Sequence, residues 1–195
     1  DNINGGLGRI PTKAAYLLGL AHDQFAPLHP EWAWPTDVAA ARETAKALLA
    51  EAGWADGFDI VFRITTGHHP SAVEMGEQIA RDLATIGVKA EIQVITYAGD
   101  RPFKVDRQRS DWWLWAGSGG APGLAYPKME SGKLRRVPLG AFNPGFELPE
   151  AVELARVMDT CETQECFDTG RAAMYGWWAE NHIMIPVVLS WGAIG

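Results

Sequence analysis

Two hydrophobic periods alternate in the first half of the chain, and this alternation restricts the fold more than any other feature of the sequence. Apolar residues at every second position predict strands over 58–64 and 88–94. Between them, apolar residues spaced three or four apart predict a helix over 72–86. Because the links are short, we expect a right-handed βαβ crossover with parallel strands. The fold class is therefore expected to be α/β.

A further helix is predicted just before this unit. Asp37 can cap a helix over 38–52, which is rich in alanine and leucine, and Gly53 is placed to end it. No linker divides the chain into two cores, so we expect one domain. The remaining expectations are an irregular leading segment over 1–36, no clear element over 98–110, a strand over 111–116, a loop over 117–147, helices over 148–159 and 165–180, and a buried strand over 184–189.

The overall charge and hydropathy exclude several classes of function. A formal net charge of −7 argues against a nucleic-acid partner, since phosphate binding needs concentrated positive charge. No apolar run approaches the roughly 20 residues that a membrane-spanning helix needs. The chain begins Asp-Asn-Ile-Asn without the pattern of a signal peptide, as either a mature protein or an excised fragment would.

The sequence has no catalytic or metal-binding motif. There is no Gly-x-Ser-x-Gly elbow, and no His-Glu-x-x-His motif occurs. His68 and His69 are adjacent, so they cannot share one face of a helix as a zinc-binding pair does. We therefore expect no cofactor, no bound metal and no enzymatic activity.

Cys161 and Cys166 are the only two cysteines, and they lie in a polar stretch. A disulfide between them would fit an oxidising compartment. Two reduced thiols are an equally open interpretation. A metal site is disfavoured, because four ligands at suitable spacing are missing.

The segment 45–60, AKALLAEAGWADGFDI, resembles a segment typical of the family 5 extracellular solute-binding proteins of ABC importers. These are the dipeptide-, oligopeptide-, nickel- and oligosaccharide-binding components. The segment ends a helix at Gly53, continues with an aromatic at Trp54 and opens a strand with 56–58. Weaker similarities follow in the same order at Gln78, Leu83, 86–88, 91–93, Asp111, Leu114, 149–154, Arg171, Tyr175 and 185–186.

The resemblance implies a lobe of the periplasmic-binding-protein-like type II fold, with a mixed sheet and helices on both faces. Family members are usually more than twice as long and close two lobes over a ligand. The matching blocks belong to the lobe late in the chain. We therefore expect residues 1–195 to be a single α/β lobe, with an irregular leading segment (1–36) and a family-like core (37–190), from a larger two-lobed protein.

The function implied by the resemblance is that of the substrate-binding component of an ABC importer. Its partners would be a small-molecule solute and, through the full-length protein, the permease subunits. We expect a monomer with a periplasmic or extracellular, membrane-anchored location. The alternative from the residues themselves is a glycan-active enzyme or a lectin-like carbohydrate-binding domain, using the tryptophans and acids.

The ligand preference follows from one departure from the family pattern. Peptide-binding members have an aspartate after the strand that corresponds to 111–116, and this aspartate holds the ligand's amino group. Here the stretch 116–122 reads Ala-Gly-Ser-Gly-Gly-Ala-Pro, without an acid. A buried ammonium without a partner is costly. Because tryptophans suit the flat faces of sugars and the chain has 9 of them, we expect an oligosaccharide first and a peptide second.

Candidate ligand-binding residues follow from where ligands lie on open α/β sheets, beyond the carboxyl ends of the strands. That rule selects the chain after each predicted strand. A structural role is an equally open interpretation for each residue. The candidates are Thr66, Trp113, Trp115, Gly117, Ser118 and Gly119.

Overall fold

A computed structural model describes residues 8–10, 13, 23, 26–67, 69–105, 112–114, 149–182, 185, 187 and 189–190. The strands are β1 (Gly8–Arg9), β2 (Phe58–Thr66), β3 (Val88–Thr96), β4 (Trp112–Leu114) and β5 (Leu189–Ser190). The helices are α1 (Val38–Glu51), α2 (Ala72–Ala84), α3 (Tyr97–Val105), α4 (Pro149–Asp159) and α5 (Gln164–Asn181), and a 3₁₀ turn covers Pro30–Trp32. The predicted loop 117–147 lies outside the described residues.

The central sheet has the strand order β3-β2-β4, and all of its pairings are parallel. The register of β2 and β3 runs from Phe58 opposite Val88 to Thr66 opposite Thr96. This confirms the predicted parallel pairing of the two strands on either side of α2. β1 and β5 form a separate antiparallel pair, with Gly8 opposite Ser190.

The ends of the predicted elements lie close to the observed ones. The Asp37 carboxylate accepts a hydrogen bond from the Ala40 backbone N–H at 3.0 Å, so it caps α1 as expected. Gly53 follows α1 with a φ of +85°. Both strands of the βαβ unit extend two residues further than their alternating patterns, because backbone pairing continues to Thr66 and Thr96.

Helices cover both faces of the sheet, as two consecutive residues of β2 show. Ile64 is fully buried, and its side chain lies against Gly76 of α2. The next residue, Thr65, is 1% exposed and bonds to Asp100 of α3. Because successive side chains of a strand point to opposite faces, α2 and α3 lie on opposite sides of β2. The described architecture therefore agrees with the expected α/β fold.

Helices α4 and α5 form a pair with its own buried side chains. Met158 of α4 and Phe167 and Met174 of α5 are each at most 3% exposed. A Cβ at Gly170 would lie 2.8 Å from the Met158 side chain, so the close approach of the helices requires the glycine. Cys161 and Cys166 form a disulfide across the turn between these helices.

Removal of this disulfide gives a first testable result. Because the bond closes a short loop of the unfolded chain, Cys161→Ser/Cys166→Ser is expected to lower the free energy of unfolding by about 2 kcal/mol. Chemical denaturation followed by circular dichroism measures the change. Dithiothreitol should destabilise the wild-type chain and leave the double variant unaffected. Equal stability of the two chains without reductant would show that the bond does not constrain the unfolded state.

Three expectations about local structure were wrong. The leading segment contains β1 and a 3₁₀ turn, and Trp32 in that turn is 6% exposed. The segment after β3, expected to lack an element, begins with α3. Within the span 184–189, the described residues Ile185 and Val187 lie outside any strand, and the strand that pairs with β1 covers Leu189–Ser190. Ile185 and Val187, expected to be buried, are 58% and 42% exposed.

Candidate functional site

The carboxyl ends of the parallel strands form one edge of the central sheet. β2 ends at Thr66 and β3 ends at Thr96, which are partners in the register. β4 runs parallel to them and ends at Leu114, opposite Ile64. Ligands of open α/β sheets collect at this edge, where turns leave the strands. We call Thr66, Thr96 and Tyr97, with the turns that follow β2 and β3, the carboxyl edge.

Two hydrogen bonds flank the turn after β2. The Thr66 hydroxyl donates to the Ile95 carbonyl oxygen at 3.4 Å, a long bond that links β2 to β3. The His69 Nδ1 accepts from the Ser71 backbone N–H at 3.1 Å, just before α2 begins. His69 therefore organises the start of a helix. The neighbouring His68 lies outside the described residues.

The turn after β3 leads directly into α3. The Thr96 hydroxyl accepts a hydrogen bond from the Gly99 backbone N–H at 3.3 Å, which is how a threonine satisfies a free donor at a helix start. Asp100 lies in the first turn of α3 and is fully buried. The Thr65 hydroxyl donates to Asp100 Oδ2 at 2.7 Å. This buried bond fixes the start of α3 against the end of β2.

Because Asp100 is buried and bonded to Thr65, its carboxylate is not presented at the carboxyl edge. With no exposed surface, the Asp100 carboxyl group cannot reach a solute at the edge. Thr66 and Tyr97 are half-buried, and Thr96 is exposed. These three described side chains all end in hydroxyl groups. The edge can therefore exchange hydrogen bonds with neutral polar groups of a ligand.

The structure places two of the six predicted site residues. Thr66 lies at the carboxyl edge, as expected. Trp113 lies within β4, where its backbone pairs in register with Arg63. Trp115, Gly117, Ser118 and Gly119 lie outside the described residues. The sequence reasoning missed Asp100, because it did not expect the helix whose first turn contains this acid.

Among the residues that the structure describes, no group of three or more histidine, cysteine, aspartate or glutamate side chains could hold a metal ion. In the same part of the chain, no helix is both long enough and apolar enough to cross a membrane.

Comparison with known protein families shows which family this chain belongs to. The family description "bacterial extracellular solute-binding proteins, family 5 Middle" matches residues 12–129, which is more than half of the chain. The chain belongs to this family. The match begins within the leading segment, upstream of the first resemblance seen in the sequence. Membership in an extracellular family implies a location outside the cytoplasm, and the family consists of binding proteins rather than enzymes.

Solved structures of other binding proteins show the same fold. The mannohexaose-bound periplasmic oligopeptide-binding protein of Thermotoga maritima has a TM-score of 0.70 at 15% identity, over 96% of this chain and 37% of its own. The dipeptide-binding protein of Pseudoalteromonas sp. SM9913, in complex with Met-Leu, has a TM-score of 0.59 at 21% identity, over 76% and 30%. The stachyose complex of the periplasmic binding protein MelB of Agrobacterium fabrum has a TM-score of 0.59 at 13% identity, over 80% and 26%.

This family 5 chain spans about a third of the length of the solved structures that it matches. A search of curated proteins finds no significant match.

Proposed function

We propose that this chain is a lobe of the substrate-binding component of an ABC importer, which captures a solute between two lobes and delivers it to a membrane permease. The match to the family over residues 12–129 carries this proposal. The parallel sheet supports it, because it presents a carboxyl edge with accessible polar side chains. On this basis, residues 1–195 form one α/β lobe of a larger monomeric protein that is anchored outside the cytoplasm, and the chain has no enzymatic activity.

An oligosaccharide is the proposed solute, with a peptide as the second candidate. The described part of the carboxyl edge offers the hydroxyls of Thr66, Thr96 and Tyr97, and the carboxyl group of Asp100 is withdrawn from its surface. Neutral hydroxyls suit the hydroxyl groups of a sugar. The free ammonium of a peptide needs a carboxylate, and none is present in the 116–122 stretch. Sugar complexes of two proteins of this fold are compatible with this choice.

The proposed ligand contacts begin with Thr66 at the carboxyl edge and continue along the chain at β4. Trp113 and Trp115 would offer flat faces for sugar rings. Gly117 and Gly119 would allow close approach of the backbone, and Ser118 would add a hydroxyl. The experiment uses Thr66, which ends β2 and has a half-buried side chain.

A thermal-shift screen of the intact protein with mannohexaose, stachyose and Met-Leu tests the proposal. A ligand at 100 times its Kd stabilises the folded state by about 2.7 kcal/mol, so a bound sugar should raise the Tm by several degrees. Shifts with mannohexaose or stachyose and none with Met-Leu are expected. A shift with Met-Leu alone would overturn the sugar preference, and hydrolysis of either sugar would show that the protein is an enzyme.

A matched pair of threonine variants tests the location of the site. Thr66→Val removes one hydroxyl from the carboxyl edge and is expected to weaken sugar binding about tenfold, the equivalent of one lost hydrogen bond. Thr44→Val removes an exposed hydroxyl from α1, whose bond is to Ala40 of the same helix. Isothermal titration should show unchanged affinity for Thr44→Val. Equal affinities for both variants would exclude Thr66 as a contact.

A further inference from the structure

A pocket of about 240 Å³ lies between the 3₁₀ turn and the C-terminal part of α5, apart from the carboxyl edge. At roughly 30 Å³ per water molecule, its volume equals that of about eight waters, which suits a small organic molecule. The lining residues are Lys13, Glu31, Trp32, Gly176, Ala179, Glu180 and His182.

A glycine within α5 keeps this pocket open. Glycine in the middle of a helix is destabilising, so its presence there needs a structural reason. Gly170 has one, because a Cβ there would lie 2.8 Å from Met158. A Cβ at Gly176 would meet no described atom within 4 Å, so close packing against the described residues does not explain this second glycine. Gly176 borders the pocket instead, and a side chain there would extend into the open space.

Trp32 forms a fixed aromatic wall of the pocket. Only 6% of its surface is exposed, and the His29 ring stacks on it with centroids 3.9 Å apart and planes within 12°. The Lys13 backbone N–H donates to the Trp32 carbonyl oxygen at 3.0 Å. The apolar surface of the wall is therefore held in place before any ligand arrives, which reduces the entropy lost on binding.

Charges of both signs line the pocket, and one oxygen of the Glu31 carboxylate lies 3.2 Å from His29 Nδ1. Glu31 and Glu180 contribute carboxylates and Lys13 contributes an ammonium. Within the described part of the chain, Lys13 makes no ion pair with either glutamate, and its Nζ lies 5.9 Å from the centre of the Trp34 ring. A ligand that carries both charges could bind the carboxylates through a cationic group and Lys13 through an anionic group.

We propose that this pocket binds a free aliphatic α-amino acid. Its ammonium contacts Glu31 or Glu180, its carboxylate contacts Lys13, and its side chain packs on Trp32 beside Gly176. A neutral sugar offers no charged group to Lys13 or Glu180, so the ligand class differs from that proposed for the carboxyl edge. This second site is independent of the importer function, and either proposal can fail without the other.

Titration of the protein with three matched probes, followed by the indole N–H signal of Trp32 in NMR spectra, tests the proposal. The probes are L-leucine, isopentylamine, which lacks the carboxylate, and 4-methylpentanoate, which lacks the amine. Leucine is expected to shift the signal saturably and to bind at least tenfold more tightly than either single-charge probe. No shift with leucine would overturn the proposal, and equal binding of the three probes would overturn the assigned ligand class.

Variants locate the binding on the named residues. Gly176→Leu fills the pocket while improving helix propensity, so it is expected to fold and to weaken leucine binding at least tenfold. Ala172→Leu places the same side chain one turn away, outside the pocket lining, and should leave binding unchanged. In Lys13→Met, leucine and isopentylamine should bind equally. Unchanged leucine binding in Gly176→Leu would show that the shift arises elsewhere.

Discussion

Gly57→Ala is expected to lower the free energy of unfolding by about 3–5 kcal/mol, because a backbone clash adds to an unfavourable backbone conformation. Gly57 precedes β2 with a φ of +77°, a conformation that disfavours every residue with a Cβ. An added Cβ would also lie 2.6 Å from the carbonyl carbon of Gly87, and closer still to its oxygen. Because the carbonyl that the Cβ meets belongs to the backbone, the start of β2 would have to separate from the start of β3.

Gly53→Ala is the matched control for this substitution. Gly53 has a similar φ of +85°, yet a Cβ there meets no described atom within 4 Å. Only the conformational strain remains, so the expected loss is about 1–2 kcal/mol. Urea denaturation of both variants measures the difference. Equal losses would show that Gly57 and Gly87 do not approach closely and that the register of β2 and β3 differs from the one described.

Thr65→Val is expected to lower the free energy of unfolding by about 1–3 kcal/mol. Valine has nearly the shape of threonine, so the variant removes the hydroxyl that donates to Asp100 and changes little else. The loss is expected to be large for a single hydrogen bond because both residues are almost completely buried. Loosening of α3 should follow, and hydrogen exchange of the 97–101 amides should become faster.

Thr66→Val is the control for this second substitution, one residue along the same strand. The Thr66 hydroxyl makes a bond of 3.4 Å and is only half-buried, so about 0.5 kcal/mol or less should be lost. Thr65→Ser should recover most of the stability, since it keeps the donor. If Thr65→Val and Thr66→Val were equally stable, the buried bond to Asp100 would not hold α3 to the sheet.

The parts of the fold that could be predicted are those with local signals. α1 is marked by the cap at Asp37 and the glycine at its end, and the βαβ unit by the two hydrophobic periods. The alternating pattern also predicts that Thr66 lies near the carboxyl edge, because it follows the last apolar residue of its strand and parallel strands end at the same edge of a sheet. These signals are short-range, so one sequence is enough to interpret them.

The parts that could not be predicted depend on distant partners. Pro102 and a polar composition conceal α3, whose buried contact is to a residue 35 positions away. β1 and β5 are two residues each, and they exist because the two ends of the described chain pair with each other. The pocket beside Trp32 likewise combines residues from position 13 to position 182. No local sequence pattern indicates that residues so far apart along the chain are in contact.

Hydrogen exchange of the intact protein, with and without mannohexaose, tests the central claim that a solute binds at the carboxyl edge. Added protection is expected at 66–69 and 96–101, where the turns leave β2 and β3. The opposite end of the sheet, at 57–59 and 87–89, should exchange as it does in the free protein. Protection confined to that opposite end, or no change at the carboxyl edge when mannohexaose is bound, would contradict the claim.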